Sequence, residues 1–254
     1  MPGNVQSAHW HHVPVSKCTL IGCLHAAGIS PWNDLAQVFT GDNMEVHRSN
    51  QTWTEPWLYR REFNLDPGHG RHYFLETNGI TSKADMYLNG WQITNKDIQS
   101  GSYGGHIYDI TAMASEVNAV LVRVYPTDYN HDLAQGFNDW NPAPPDNGSG
   151  IWRDVNIKQT GPVMLGPLSV TTDFEASGSS ARVTLRTLAR NLENRTVEVF
   201  LRLVFSSLGL EPAQQEIARS LLCHCYTPIK DITQNTSWLS LRVAPRQIQF
   251  PHQM

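Results

Sequence analysis

ADMYLNG, residues 84–90, is the stretch whose reading decides the fold. Ala84, Met86 and Leu88 alternate with Asp85, Tyr87 and Asn89, so one face is apolar and the other polar. A period of two is that of a strand with one buried face. Asn89-Gly90 follows at once, and this dipeptide suits the positive φ angles of a tight hairpin. The stretch predicts an antiparallel strand that ends in a two-residue turn.

The same pattern recurs outward. Val120, Val122 and Val124 alternate with Leu121, Arg123 and Tyr125; Ala181, Val183 and Leu185 alternate with Arg182, Thr184 and Arg186; Val197, Val199, Leu201 and Leu203 repeat it. Short strands between turn signals point to β-sandwiches. Helix is scarce. CTLIGCLHAAG (Cys18–Gly28) predicts a short helix stopped by Gly28, and ITAMAS after Asp109 predicts one turn. GLEPAQQEIARSLL (Gly209–Leu222) has the strongest helical composition and sits awkwardly in an all-β half. TGPVMLGP (160–167) marks a boundary, giving two β domains over 1–165 and 166–254.

Composition bounds the partners. The 254 residues carry a formal net charge of −4 and no basic stripe, which argues against nucleic acid. No apolar run reaches the ~18 residues of a membrane span. The start, MPGNVQSAHWHHVPVS, lacks the apolar core of a secretory signal. Sequons stand at Asn50, Asn147, Asn194 and Asn235 and matter only in a secreted setting. Cys18, Cys23, Cys223 and Cys225 allow three pairings, among which the sequence does not choose. Cys223-His224-Cys225 lacks the two further ligands a tetrahedral zinc site needs, and His9, His11 and His12 read as solvated. No metal or cofactor is expected.

GFNDWNPAPPDNGSGIWRDV (136–155) is the chemically informative loop. Trp152 reads as a core plug beside Ile151 and Val155. Trp140 does not: it lies among Asn138, Asp139, Asn141 and a run of prolines, with neither strand nor helix period. Prolines restrict the backbone and so reduce the entropy lost on ordering. An aromatic face with carboxylates and amides beside it suits a pyranose, whose C–H face packs on the ring. A rigid structural loop is an equal reading of these residues alone.

These residues resemble the sugar-binding domain of glycoside hydrolase family 2, and within it the fungal exo-β-D-glucosaminidases. Supporting stretches are WHHVPVSKCTLIGCLHAAGI (10–29), EPWLYRREFNL (55–65), FLETNGITSKADMYLNG (74–90), YDIT (108–111) and NAVLVRVYP (118–126). The β-mannosidase and β-galactosidase branches share the same first two domains, and the DWNPAPPDN run favours the glucosaminidases. The resemblance implies an all-β chain: a jelly-roll, galactose-binding-like sandwich, then an immunoglobulin-like sandwich. In the family a catalytic (β/α)8 barrel comes next, with an acid/base carboxyl in an Asn-Glu pair. This sequence contains no Asn-Glu dipeptide. The expectation is a portion that does not hydrolyse glycosides alone, with no catalytic residue in it.

The resemblance carries over Asp139, Trp140 and Asn141 as residues lining the terminal sugar, with Asp146 and Asn147 beside them. The alternative role of the last two is to hold the loop shape through Asx turns. The expected partner is a glucosamine-containing glycan, and the family's setting is extracellular. Two other readings stand beside this one: a stand-alone module for chitosan or related glycans, and a non-functional gene fragment. The fragment reading rests on Phe200–Tyr226, which fits the family poorly and reads as a gene-model error or retained intron. Asp85 and Asn89 are expected to serve the strand edge and turn. Arg153 and Asp154 are expected to pair locally or to touch a neighbouring domain.

Overall fold

The computed structural model describes residues 10–29, 34, 36–37, 53–128, 130–132, 144–174, 181–195, 197–201, 227–232 and 237–242. Its contacts divide into two compact units, Met1–Gln159 and Thr160–Met254.

The first unit is a β-sandwich. One sheet has the order β2 (Trp57–Asn64), β7 (Val117–Tyr125), β4 (Lys83–Leu88), β5 (Trp91–Thr94). The other has the order β6 (His106–Asp109), β3 (His72–Thr77), β9 (Val155–Thr160). A two-stranded ribbon, β1 (Cys18–Thr19) with β8 (Gly150–Ile151), leads into helix α1 (Leu20–Ala26). ITAMAS supplies a single 3-10 turn, Thr111–Met113.

The hairpin forms as the alternation predicts. Leu88 pairs with Trp91, and Asn89 and Gly90 take φ of 51° and 89°. The Asn89 side chain also accepts the N–H of Ala119 and donates to Met113 and Asn118, tying the turn to β7. Ala84, Met86 and Leu88 are all 0% exposed. They meet Val120, Val122 and Val124 of β7 and, from the facing sheet, Tyr73 and Leu75. Each such side chain contributes about 1.5–3 kcal/mol by leaving water. Asp85 points to the other face, where it accepts from the Lys96 N–H and the Tyr125 hydroxyl.

α1 is shorter than the 18–28 reading, because Cys18 and Thr19 pair with Ile151 and Gly150. Gly28 stops it at φ 72°, with Gly28 N–H to His25 and Ile29 N–H to Leu24 closing the last turn. Cys18 is joined to Cys23 by a disulfide that spans five positions. Cys223, Cys225, His9, Asn50, Asn235 and the helical reading of 209–222 lie outside the described residues.

The second unit is an immunoglobulin-like β-sandwich. β12 (Ala181–Asn191) is its spine. β10 (Val163–Leu165) and β11 (Ser169–Phe174) follow one another along one edge of β12, and β15 (Ser237–Arg242) takes the other edge. β13 (Val197–Leu201) pairs with β14 (Thr227–Ile232) in a separate ribbon.

Candidate functional site

The connection between β7 and β8 holds every candidate sugar residue. Asp139, Trp140 and Asn141 lie outside the described residues. Asp146 and Asn147 lie at the returning root of the arm, just before β8.

Asp146 is 1% exposed. Its carboxylate accepts the N–H of Ile21 at 2.8 Å and that of Gly148 at 2.9 Å. The Thr19 side chain makes no capping bond at the start of α1, so Asp146 caps this helix from a distant loop. The Leu20 N–H goes to the Ser149 carbonyl at 2.7 Å. Two of the amides that a helix start leaves without an intrahelical partner are therefore satisfied by the root of the arm. Burial raises the Asp146 pKa; hydrogen bonds from Ile21, Gly148 and Thr19 pull the other way without cancelling it.

Asn147 is half-buried at φ 52°, followed by Gly148 at φ 68°. Asn tolerates this left-handed region better than most residues. Its side-chain amide donates to the Thr127 carbonyl at 3.0 Å. The amide nitrogen of the Asn147 sequon is thus engaged inside the fold. Thr127 is held again by Ser149, through its N–H and its hydroxyl, both at 2.9 Å. The two roots of the arm are thereby laced together.

The leaving root has its own fastening, which the sequence reading missed. The Asp132 carboxylate accepts from the Ser82 hydroxyl at 2.7 Å and the Asp128 N–H at 3.0 Å, and pairs with Lys83 at 2.5 Å. Its side chain is only 6% exposed. Burial disfavours its charge, but the bonds from Lys83, Asp128 and Ser82 outweigh that and lower its pKa. The only sequence signal was the Asp128-x-x-x-Asp132 spacing, which by itself reads as an ordinary polar turn. Asp128 faces His131 at 2.7 Å, and that bond lowers the Asp128 pKa.

Two further connections meet here. Thr81 and Gly150 exchange a pair of main-chain bonds at 2.9 Å, and the Gly101 N–H reaches Ser82 at 2.8 Å. Trp152 is half-buried rather than a core plug, and Ile151 takes the core position. The Trp152 indole donates to the Ser102 carbonyl at 2.7 Å, its ring meets Tyr103 edge-on, and the Arg153 guanidinium lies 4.2 Å above it. The reason is the brevity of β8, whose two residues place Ile151 inward and leave the next side chain beyond the sheet. Asp154 pairs with Lys17 at 2.8 Å, not with Arg153.

This all-β architecture, with its arm rooted between β7 and β8, has counterparts among known proteins. The chain belongs to the glycosyl hydrolase 2 family: the model of its galactose-binding domain-like module matches residues 4–136, more than half of the chain. It is similar to the exo-β-D-glucosaminidase of Hypocrea jecorina, 51% identical over 78% of this chain and 22% of that protein. Against the exo-β-D-glucosaminidase of Hypocrea virens it is 50% identical over 77% of this chain and 22% of that one. The chain thus spans about a fifth of the length of these relatives. Among solved structures, it resembles the Amycolatopsis orientalis exo-chitosanase in complex with PNP-β-D-glucosamine. There the TM-score is 0.71 at 26% identity, covering 91% of this chain and 25% of that one.

Proposed function

We propose that these residues form the sugar-binding and immunoglobulin-like portion of an exo-β-D-glucosaminidase-like protein. This portion does not hydrolyse glycosides by itself. Asp139, Trp140 and Asn141 face the terminal glucosamine of a chitosan-like glycan, and Asp146 and Asn147 hold the arm from behind. The observation that carries this reading is the double rooting of the arm, through Asp132 and through Asp146, on a domain similar to those of exo-β-D-glucosaminidases. Carboxylates spent on main-chain N–H groups are scaffold, so sugar contact falls to the arm between them.

The same rooting favours a second reading, in which the sandwich binds the glycan without help from another domain. An extracellular setting is part of the proposal, and the Cys18–Cys23 disulfide supports an oxidising compartment.

Calorimetric titration with glucosamine oligosaccharides tests both, comparing the chain with its Trp140→Ala variant. Heat that vanishes in the variant establishes a sugar site on this portion. Equal heat from both removes Trp140 from it, and heat from neither leaves the arm as half a site. Release of nitrophenol from PNP-β-D-glucosamine by the purified chain would defeat the non-catalytic reading.

A further inference from the structure

We infer that Asp132 is the positioning residue of the arm: it sets where the chain leaves the sandwich and so where Trp140 stands. The inference rests on the sugar-arm reading above, but its geometry is independent of any ligand.

Asp132 ends the described part of the leaving root, and residues 133–143 follow it in sequence. Its two carboxylate oxygens face different elements. One takes the Ser82 hydroxyl and the Asp128 N–H, and the other takes the Lys83 ammonium. Lys83 is itself fixed as the first residue of β4, paired with Tyr125 of β7. The carboxylate therefore ties the turn after β7 to the central strand of its sheet. The turn is closed further by the Asp132 N–H, which donates to the Asp128 carbonyl at 2.7 Å. Charge-assisted bonds of this kind are shorter and about twice as strong as neutral ones. On the returning root, Asp146 performs the corresponding task with α1. With both roots fixed, the arm is preorganised, which lowers the entropy lost when a ligand binds. Asp132 itself does not touch the sugar: its oxygens are already taken and it is buried.

The test uses the full chain labelled with 5-fluorotryptophan, whose eight tryptophans each give a fluorine signal. Trp140→Phe assigns the arm signal. Trp91→Phe assigns a reference at the far end of β4, where Trp91 pairs with Leu88. Asp132→Ala is expected to move or broaden the Trp140 signal and leave Trp91 in place. It should weaken binding of glucosamine oligosaccharides about ten-fold, the size of one or two lost hydrogen bonds. Asp132→Asn keeps one oxygen for Ser82 and Asp128 and loses only the Lys83 pair, so its effect should be smaller. Lys83→Met should match Asp132→Asn. If Asp132→Ala does not fold, these two milder variants decide the matter through the same signals. A Trp140 signal unchanged in every folded variant overturns the inference. A wild-type chain that binds no sugar, but whose Trp140 signal still follows Asp132, overturns the sugar-arm reading and leaves the positioning role standing.

Discussion

The Asp146 carboxylate holds the N–H of Ile21 at 2.8 Å across 125 positions of sequence. One side chain thus caps a helix and fixes the root of a loop. Asp146→Ala should cost about 1–3 kcal/mol, because the buried N–H groups of Ile21 and Gly148 lose their acceptor. Urea unfolding checks this. A change well under 1 kcal/mol would mean that the root relaxes enough for water to replace the carboxylate.

The two root carboxylates should respond to acid in opposite senses. The Asp132 pKa is lowered in the folded protein, so its contribution is present above the unfolded value and is lost as pH falls through the folded one. The Asp146 pKa is raised, so its contribution is present below the unfolded value and is lost as pH rises through the folded one. Melting curves of Asp132→Asn and Asp146→Asn against the parent, taken from the neutral range downward, check the signs. The deficit of Asp132→Asn should shrink on acidification, and that of Asp146→Asn should grow. Parallel pH dependences for all three proteins would refute the assignment.

Tyr59→Phe should be neutral or stabilising by about 1 kcal/mol. The Tyr59 hydroxyl is buried and has no hydrogen-bond partner, and burial together with Asp146 raises its pKa. Removing a buried polar group that bonds to nothing removes a desolvation cost. Thermal melts suffice, and a clear drop in the midpoint would reveal a bond that the hydroxyl does make.

Gly79→Ala should destabilise by about 1–3 kcal/mol, the range for overpacking. A Cβ there would lie 2.7 Å from the Ser102 carbonyl oxygen and 2.8 Å from the Trp152 indole nitrogen. The Trp152–Ser102 bond should be displaced, and tryptophan fluorescence should report it. An alanine variant with parent-like melting and emission would show that this corner yields freely.

The sandwich was legible from local pattern, and the arm's scaffold was not. Ala84, Met86, Leu88 and Asn89-Gly90 specify face, strand and turn within seven residues, because the alternation and the turn chemistry agree. Trp152 was misplaced because an aromatic next to strand residues reads as core, while the end of β8 depends on its pairing with β1. The Cys18–Cys23 pairing could not be chosen by counting cysteines, and β1 shortened the expected helix for a reason that lies in β8. Asp132 and Asp146 act through Ser82, Lys83 and Ile21, far away in sequence, so no window around either residue reveals its task. Loop composition identifies a surface that can meet a sugar, whereas the residues that hold it in place emerge only from tertiary contacts.

The pairing of Cys18 with Ile151 also sets a timetable. A ribosome adds about 5–20 residues per second. Roughly ten seconds or more therefore separate the emergence of β1 from that of its partner strand. Through that interval the first segment of the chain has no sheet to join, and its two cysteines meet before Ile151 exists. The N-terminal end of this protein is made first and completed late.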